Sequence, residues 1–225
     1  MSLISFIIKL IIVLLPFQLK RLILNYFFDF EIDRSAKMGV SWVYPKKLSM
    51  SSGAYIGHLN IIKNIELLEM GEGARVGHQN TVTCAEKGAT RSFAEVERAT
   101  VLSVGRGACI TRKHYLDCTD RISIGNFVTV AGFNSQFLTH SIDVYGNKQS
   151  CESISIAEYS LLGTNSVVLP GSYLPSKVVV GASSLLNKKY SCESGVLLAG
   201  VPAKVVKRYH IDEVAYFHRI DGPVV

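Results

Sequence analysis

The sequence predicts an all-β chain, a parallel β-helix of six-residue units behind an apolar helical N-terminal segment. Ile156, Leu162, Val168, Leu174, Val180 and Leu186 stand six residues apart without a slip, a period that belongs to neither an α-helix nor a hairpin. The residue after the ladder position is Ala157, Gly163, Pro175 or Gly181 in four cases, and the position four on holds Ser160, Ser166, Ser172, Val178 and Ser184. Small and turn-forming residues thus recur where the chain must bend. The same phase runs upstream in broken form, as Ile56, Ile62, Met70, Val76 and Val82, then as Val104, Ile110, Leu116, Ile124 and Val130.

Each unit supplies one short strand and one turn, and three units close a triangular coil with aliphatic side chains stacked inside. Backbone hydrogen bonds then run between successive coils. Each upstream block holds one eight-residue step, Ile62 to Met70 and Leu116 to Ile124, which a small corner bulge accommodates. The interruptions at 83–103 and 136–153 are expected as loops pushed out of the coil, where function concentrates. The expected organisation is an N-terminal segment over 1–45, the β-helix over 46–208 and a tail over 209–225.

Residues 3–15 are strongly apolar, but Lys9 interrupts the run and Pro16 ends it short of the ~20 residues a spanning helix needs. Basic residues Lys20 and Arg21 follow the run instead of preceding it, so it does not read as a signal peptide and is expected to stay on the chain. With Leu22, Ile23, Leu24, Tyr26, Phe27, Phe28 and Phe30 it reads as one or two helices, apolar nearly all round. Such a segment lies in a membrane interface, or packs against the protein or a neighbouring subunit.

Hydrophobic residues make up 48% of the chain and charged ones 19%, which excludes disorder. A net charge of +6 suits nucleic acid, an anionic membrane surface or a phosphorylated cofactor. No RNP-like aromatic motif, zinc-finger spacing or helix-turn-helix pattern accompanies the scattered cations, so nucleic acid is not an expected partner. The five cysteines, Cys84, Cys109, Cys118, Cys151 and Cys192, are odd in number and contain no CxxC pair. They predict neither a disulfide framework nor a zinc site, but small buried hydrophobes in a cytoplasmic protein; membrane association is one of the two uses expected of the apolar N-terminal segment.

The run from Ile154 to Lys207 resembles the C-terminal half of the hexapeptide-repeat acyltransferases, which include the maltose and galactoside acetyltransferases and polysaccharide O-acetyltransferases. Ala199-Gly200-Val201-Pro202-Ala203-Lys204 matches the motif that closes their β-helix, and Gly132 to Asp143, with Thr139-His140, looks like the loop that carries their catalytic histidine. The resemblance covers residues 50 to 208. It implies a left-handed coil, a homotrimer, acetyl-CoA as co-substrate with no metal, and a sugar or glycan acceptor acylated on a hydroxyl without a covalent acyl-enzyme.

Acyl transfer from a thioester to a hydroxyl needs a base, an oxyanion donor and a slot holding both reactants. His140, on an expected loop with polar neighbours, is the candidate base, an imidazole being able both to take and to return a proton near neutral pH. Asn134, Gln136 and Asp143 surround it in sequence as candidate acceptor contacts, and Asp143 or a backbone carbonyl is expected to hold its tautomer. His114, at a corner of the ladder, is either a further acceptor contact or an ordinary corner histidine. His58 and His78 carry no assigned role. The resemblance further implies backbone contacts to acetyl-CoA at Gly163, Thr164, Ala182 and Ser183, and nucleotide contacts at Lys188, Pro202 and Lys204, the lysines suiting a 3′-phosphate. Ser183 stands where the family often has glycine, which would narrow the pantetheine channel.

Other readings fare less well. A γ-class carbonic anhydrase needs a zinc-histidine spacing that neither His114 nor His140 supplies. A nucleotidyltransferase or a serine acetyltransferase needs a larger N-terminal domain than 45 residues allow. A non-catalytic β-helix scaffold and a sugar N-acyltransferase remain as alternatives.

Overall fold

A six-residue unit leaves room for only two to five residues of strand between corners. The computed structural model, described over residues 3–85, 93 and 97–222, is built almost wholly from such strands. They align in three parallel sheets that the chain visits in rotation. Inward positions stack in columns: Val104, Ile124, Ile156 and Leu174 in the first sheet, Ile110, Val130, Leu162 and Val180 in the second, Leu116, Phe137, Val168 and Leu186 in the third. Every one is buried, so period-six patterning converts directly into a continuous aliphatic core.

The parallel strands begin at Glu31, upstream of the expected boundary at 46. Ile32, Met38 and Val43 fill the first coil and face Met50, Ile56 and Ile62 of the second. Their spacings of six, five and then seven to Met50 hide the period from a fixed six-residue search. The second extruded loop is likewise shorter than 136–153, because Gln136–Leu138 is a strand of the third sheet with Phe137 inside.

All the long steps fall at one corner, where the chain passes from the third sheet to the first: 62 to 70, 82 to 104, 116 to 124 and 137 to 156. The last carries an antiparallel hairpin, His140–Asp143 with Lys148–Cys151. The corner between the second and third sheets holds instead a buried polar column. Backbone N–H groups of Asn60, Asn80, His114, Ser135 and Ser166 donate in turn to the side chains of Ser41 (2.9 Å), Asn60 (2.8 Å), Asn80 (2.9 Å), His114 (3.1 Å) and Ser135 (3.2 Å). Each tight turn buries backbone donors, and the column satisfies them.

Helices α1 (Leu3–Leu14) and α2 (Phe17–Phe27) cover the first coil, with Ile12, Val13 and Leu24 joining Phe30, Ile32 and Val43 in the core. The Tyr44 hydroxyl donates to the Lys9 carbonyl at 2.8 Å, and buried Lys20 Nζ donates to the Gly39 carbonyl at 3.1 Å. Among the described residues no helix is long and apolar enough to cross a membrane. At the other end Val196–Ala199 adds in parallel and Lys204–Arg208 returns antiparallel. The tail then folds back along the coil, burying Phe217 and placing the Tyr216 hydroxyl 3.0 Å from the Ser160 carbonyl. Of the five cysteines, Cys84 and Cys118 are buried, the Cys84 thiol donating to the Asn64 carbonyl at 2.9 Å, while Cys109, Cys151 and Cys192 are only partly buried.

Candidate active site

The corner that releases every long loop also gathers acid and base. Asp117 follows inward-facing Leu116 on the strand Tyr115–Asp117, and parallel pairing sets it opposite Leu138, two residues before His140. Asp117 is buried. Its Oδ1 accepts from the Thr119 hydroxyl at 2.7 Å and the Thr119 N–H at 3.2 Å, while its Oδ2 meets His140 Nδ1. Thr139 is pinned to the same residue, its hydroxyl donating to the Asp117 carbonyl at 2.7 Å. A carboxylate removed from water needs such partners. With Nδ1 committed to the carboxylate, Nε2 is the basic nitrogen. The imidazole stays 42% exposed while its partner carboxylate is only 3% exposed.

Residues of the preceding long loop close the arrangement. The Phe93 ring meets His140 edge-on, with centroids 6.1 Å apart and planes at 85°. The Arg98 guanidinium lies 4.8 Å over Phe93 and donates to the carbonyls of Ala85 (2.8 Å) and Thr119 (2.9 Å). Contacts thus run in a ring through Asp117, Thr119, Arg98, Phe93 and His140. Sequence reasoning singled out His140 alone of these five. Asp117, not Asp143, faces the imidazole: the Asp143 carboxylate caps the hairpin turn, accepting from the N–H groups of Tyr145 and Gly146 at 3.1 Å.

His114 lies inside the coil, not on an acceptor surface. Nδ1 accepts from Ser135 N–H, Nε2 pairs with the Thr111 hydroxyl at 2.9 Å, and burial pushes its pKa down to about 4. It is therefore neutral and engaged at both nitrogens. Asn134 occupies a left-handed corner position (φ 64°), and its amide donates to Asn165 Oδ1 at 3.2 Å. Gln136 is exposed on the third sheet, its N–H donating to the Ser166 carbonyl at 2.9 Å. Neither makes a hydrogen bond to His140 among the described residues.

The expected acetyl-CoA contacts fall into two groups. Gly163 packs directly under the next coil, where a Cβ would come within 2.6 Å of Ala182 N, and Ser183 N–H donates to the Thr164 carbonyl at 2.9 Å. Ser183 itself takes the left-handed conformation (φ 56°) that glycine adopts more easily. Lys188 and Lys204 come together with Lys189 and Arg208 around a cleft of about 400 Å³ at the C-terminal end. Arg208 is paired with the Glu193 carboxylate at 2.8 Å, and the three lysines with no carboxylate among the lining residues fit a phosphate-bearing ligand. Pro202 follows a cis peptide bond in the turn between the last two strands and does not line that cleft. Among the described residues, no three His, Cys, Asp or Glu side chains converge as a metal site.

The fold is shared with the polysialic acid O-acetyltransferase OatWY, at 15% identity and a TM-score of 0.55 over 80% of this chain and 84% of that one. A hexapeptide-repeat acetyltransferase from Vibrio cholerae aligns at 24% identity and a TM-score of 0.46 over 59% of this chain and 72% of that one. In sequence, 58 residues are 40% identical to the "Putative lipopolysaccharide biosynthesis O-acetyl transferase WbbJ" of Escherichia coli strain K12. That match takes in 26% of this chain and spans 29% of the relative's length. No protein-family model matches the chain.

Proposed function

We propose that the chain is a left-handed β-helix O-acyltransferase that moves an acetyl group from acetyl-CoA to a hydroxyl of a sugar or polysaccharide precursor. The observation that carries this reading is the His140–Asp117 pair, a half-exposed imidazole oriented by a buried carboxylate at the root of an extruded hairpin. Nε2 takes the proton of the acceptor hydroxyl as its oxygen adds to the thioester carbonyl carbon. It then returns that proton to the departing sulfur as the C–S bond breaks, leaving an ester and the free thiol. Asp117 fixes the tautomer and stabilises the imidazolium formed between the two steps.

The basic cleft at Lys188 and Lys204 supports a nucleotide-phosphate contact, and Gly163, Thr164, Ala182 and Ser183 are assigned backbone contacts to the pantetheine arm. Three copies with sites between neighbours would complete the slot that one coil leaves open. Asn134, Gln136 and Asp143 are assigned to the acceptor side, with Asp143 acting through the hairpin turn it holds. Calorimetry with acetyl-CoA on the chain and on His140→Ala, followed by thiol release with sugar acceptors, tests the reading. Binding by both forms with turnover lost only in the variant is the expected result; no binding by either would leave a scaffold.

A further inference from the structure

The two N-terminal helices leave most of their apolar surface uncovered. On α1, Leu3, Ile4, Ile8, Ile11 and Leu14 are 50% to 74% exposed, and on α2, Leu22, Tyr26 and Phe27 are 57% to 82% exposed. Apolar surface that is contiguous on this scale marks a contact. Between the helices runs an apolar cleft of about 640 Å³, walled by Ile8, Ile12, Ile23 and Phe28 and reached by Lys9. Lys9 also lines a second cleft of about 670 Å³, where Lys46 and Lys63 join Phe6, Trp42 and Tyr44. One lysine therefore joins an aliphatic slot to a basic aromatic one, and residues 3–28 contain no acidic side chain.

We propose that this end of the molecule docks onto an anionic phospholipid bilayer, with acyl chains against α1 and α2 and a headgroup phosphate among Lys9, Lys46 and Lys63. Helices of 12 and 11 residues are too short to span a bilayer and long enough to lie in its interface. Trp42, half-buried in the wall of the second cleft with its ring centroid 5.3 Å from that of Phe6, is the side chain that favours headgroup depth. A second copy fits this surface poorly. An isologous contact would bring the same lysines face to face with no carboxylate on either helix to pair with them. The inference stands apart from the acyl-transfer reading, since neither cleft includes a residue of the His140 site.

Trp42 is the chain's one tryptophan, so its emission reports on the cleft. The full chain is mixed with brominated phosphatidylcholine vesicles, with or without phosphatidylglycerol, and floated on a density gradient. Flotation with a blue-shifted, quenched Trp42 on the anionic vesicles is expected, with affinity about tenfold lower on the neutral ones. Ile4→Gln/Ile8→Gln/Ile11→Gln should lower partitioning about tenfold on both vesicle types, and Lys46→Gln/Lys63→Gln should abolish only the preference for anionic lipid. Circular dichroism and light-scattering mass confirm that each variant is folded and equally assembled. The proposal is overturned if the wild type stays unquenched at the bottom of the gradient, or if Lys46→Gln/Lys63→Gln keeps the anionic preference. It is equally overturned if the isoleucine variant loses mass, which would make the face a contact between copies.

Discussion

Asp117 Oδ2 meets His140 Nδ1 across 23 residues of chain, and the same carboxylate's Oδ1 is held by Thr119. If this pair delivers the base, the two residues fail differently on substitution. His140→Ala should lower kcat about 10³-fold. Asp117→Asn, which keeps the shape but frees the tautomer, should lower it about 10²-fold with KM for acetyl-CoA unchanged. Thiol release at saturating acetyl-CoA measures both, and wild-type turnover in Asp117→Asn would remove the dyad from the mechanism.

Thr119→Val tests how the acid is held. The exchange nearly conserves volume but strips a 2.7 Å donor from a buried carboxylate oxygen, a loss of roughly 1–3 kcal/mol. A lower unfolding midpoint together with reduced kcat is the expected result from urea denaturation and steady-state kinetics. A stable, fully active variant would show that the Thr119 N–H suffices.

His114 makes stability depend on pH. Its folded pKa, about 4, lies below the unfolded value of 6.5, so between those values the unfolded chain binds more protons. The stabilisation is complete above pH ~6.5 and is lost as pH falls toward ~4, in total about 3 kcal/mol. Urea unfolding across that range should show the decline from this residue superimposed on that of other groups. His114→Asn should reduce the slope while keeping the fold, because Asn60 and Asn80 already fill equivalent rungs of the column. His114→Leu should destabilise at every pH, leaving Ser135 N–H without its acceptor.

Lys188→Gln/Lys204→Gln should weaken acetyl-CoA binding about tenfold, near 1.4 kcal/mol. The loss should vanish for a ligand lacking the 3′-phosphate. Calorimetry with both ligands measures the difference; equal losses for the two would place the lysines elsewhere on the nucleotide.

The ladder from Ile156 to Leu186 was legible because every rung is six residues from the next and every rung is an inward aliphatic. The first coil was not, since its spacings of six, five and seven break the count while the structure keeps Ile32, Met38 and Val43 in register with the second coil. His140 stood out through its local setting. Asp117 did not, because what brings it to His140 is the pairing of its strand with Gln136–Leu138, a relation between coils that no local pattern prints. A signal was present: an acid immediately after an inward leucine, followed by Thr119, is a costly residue to bury without a partner. His114 was legible as a corner residue, but not what it does there: at that corner side chains turn inward to serve backbone N–H groups.

Parallel pairing also makes the chain a ruler. Along the third sheet, four steps separate Trp42–Tyr44, beside α1, from Gln136–Leu138, beside His140. At ~4.8 Å per step His140 stands roughly 20 Å from the end that the helices close. Adding or removing one coil would move it by a fixed increment without touching its chemistry. If His140 acts on an acceptor held at the surface that receives that end, reach becomes a separate selector, set by the count of coils between them.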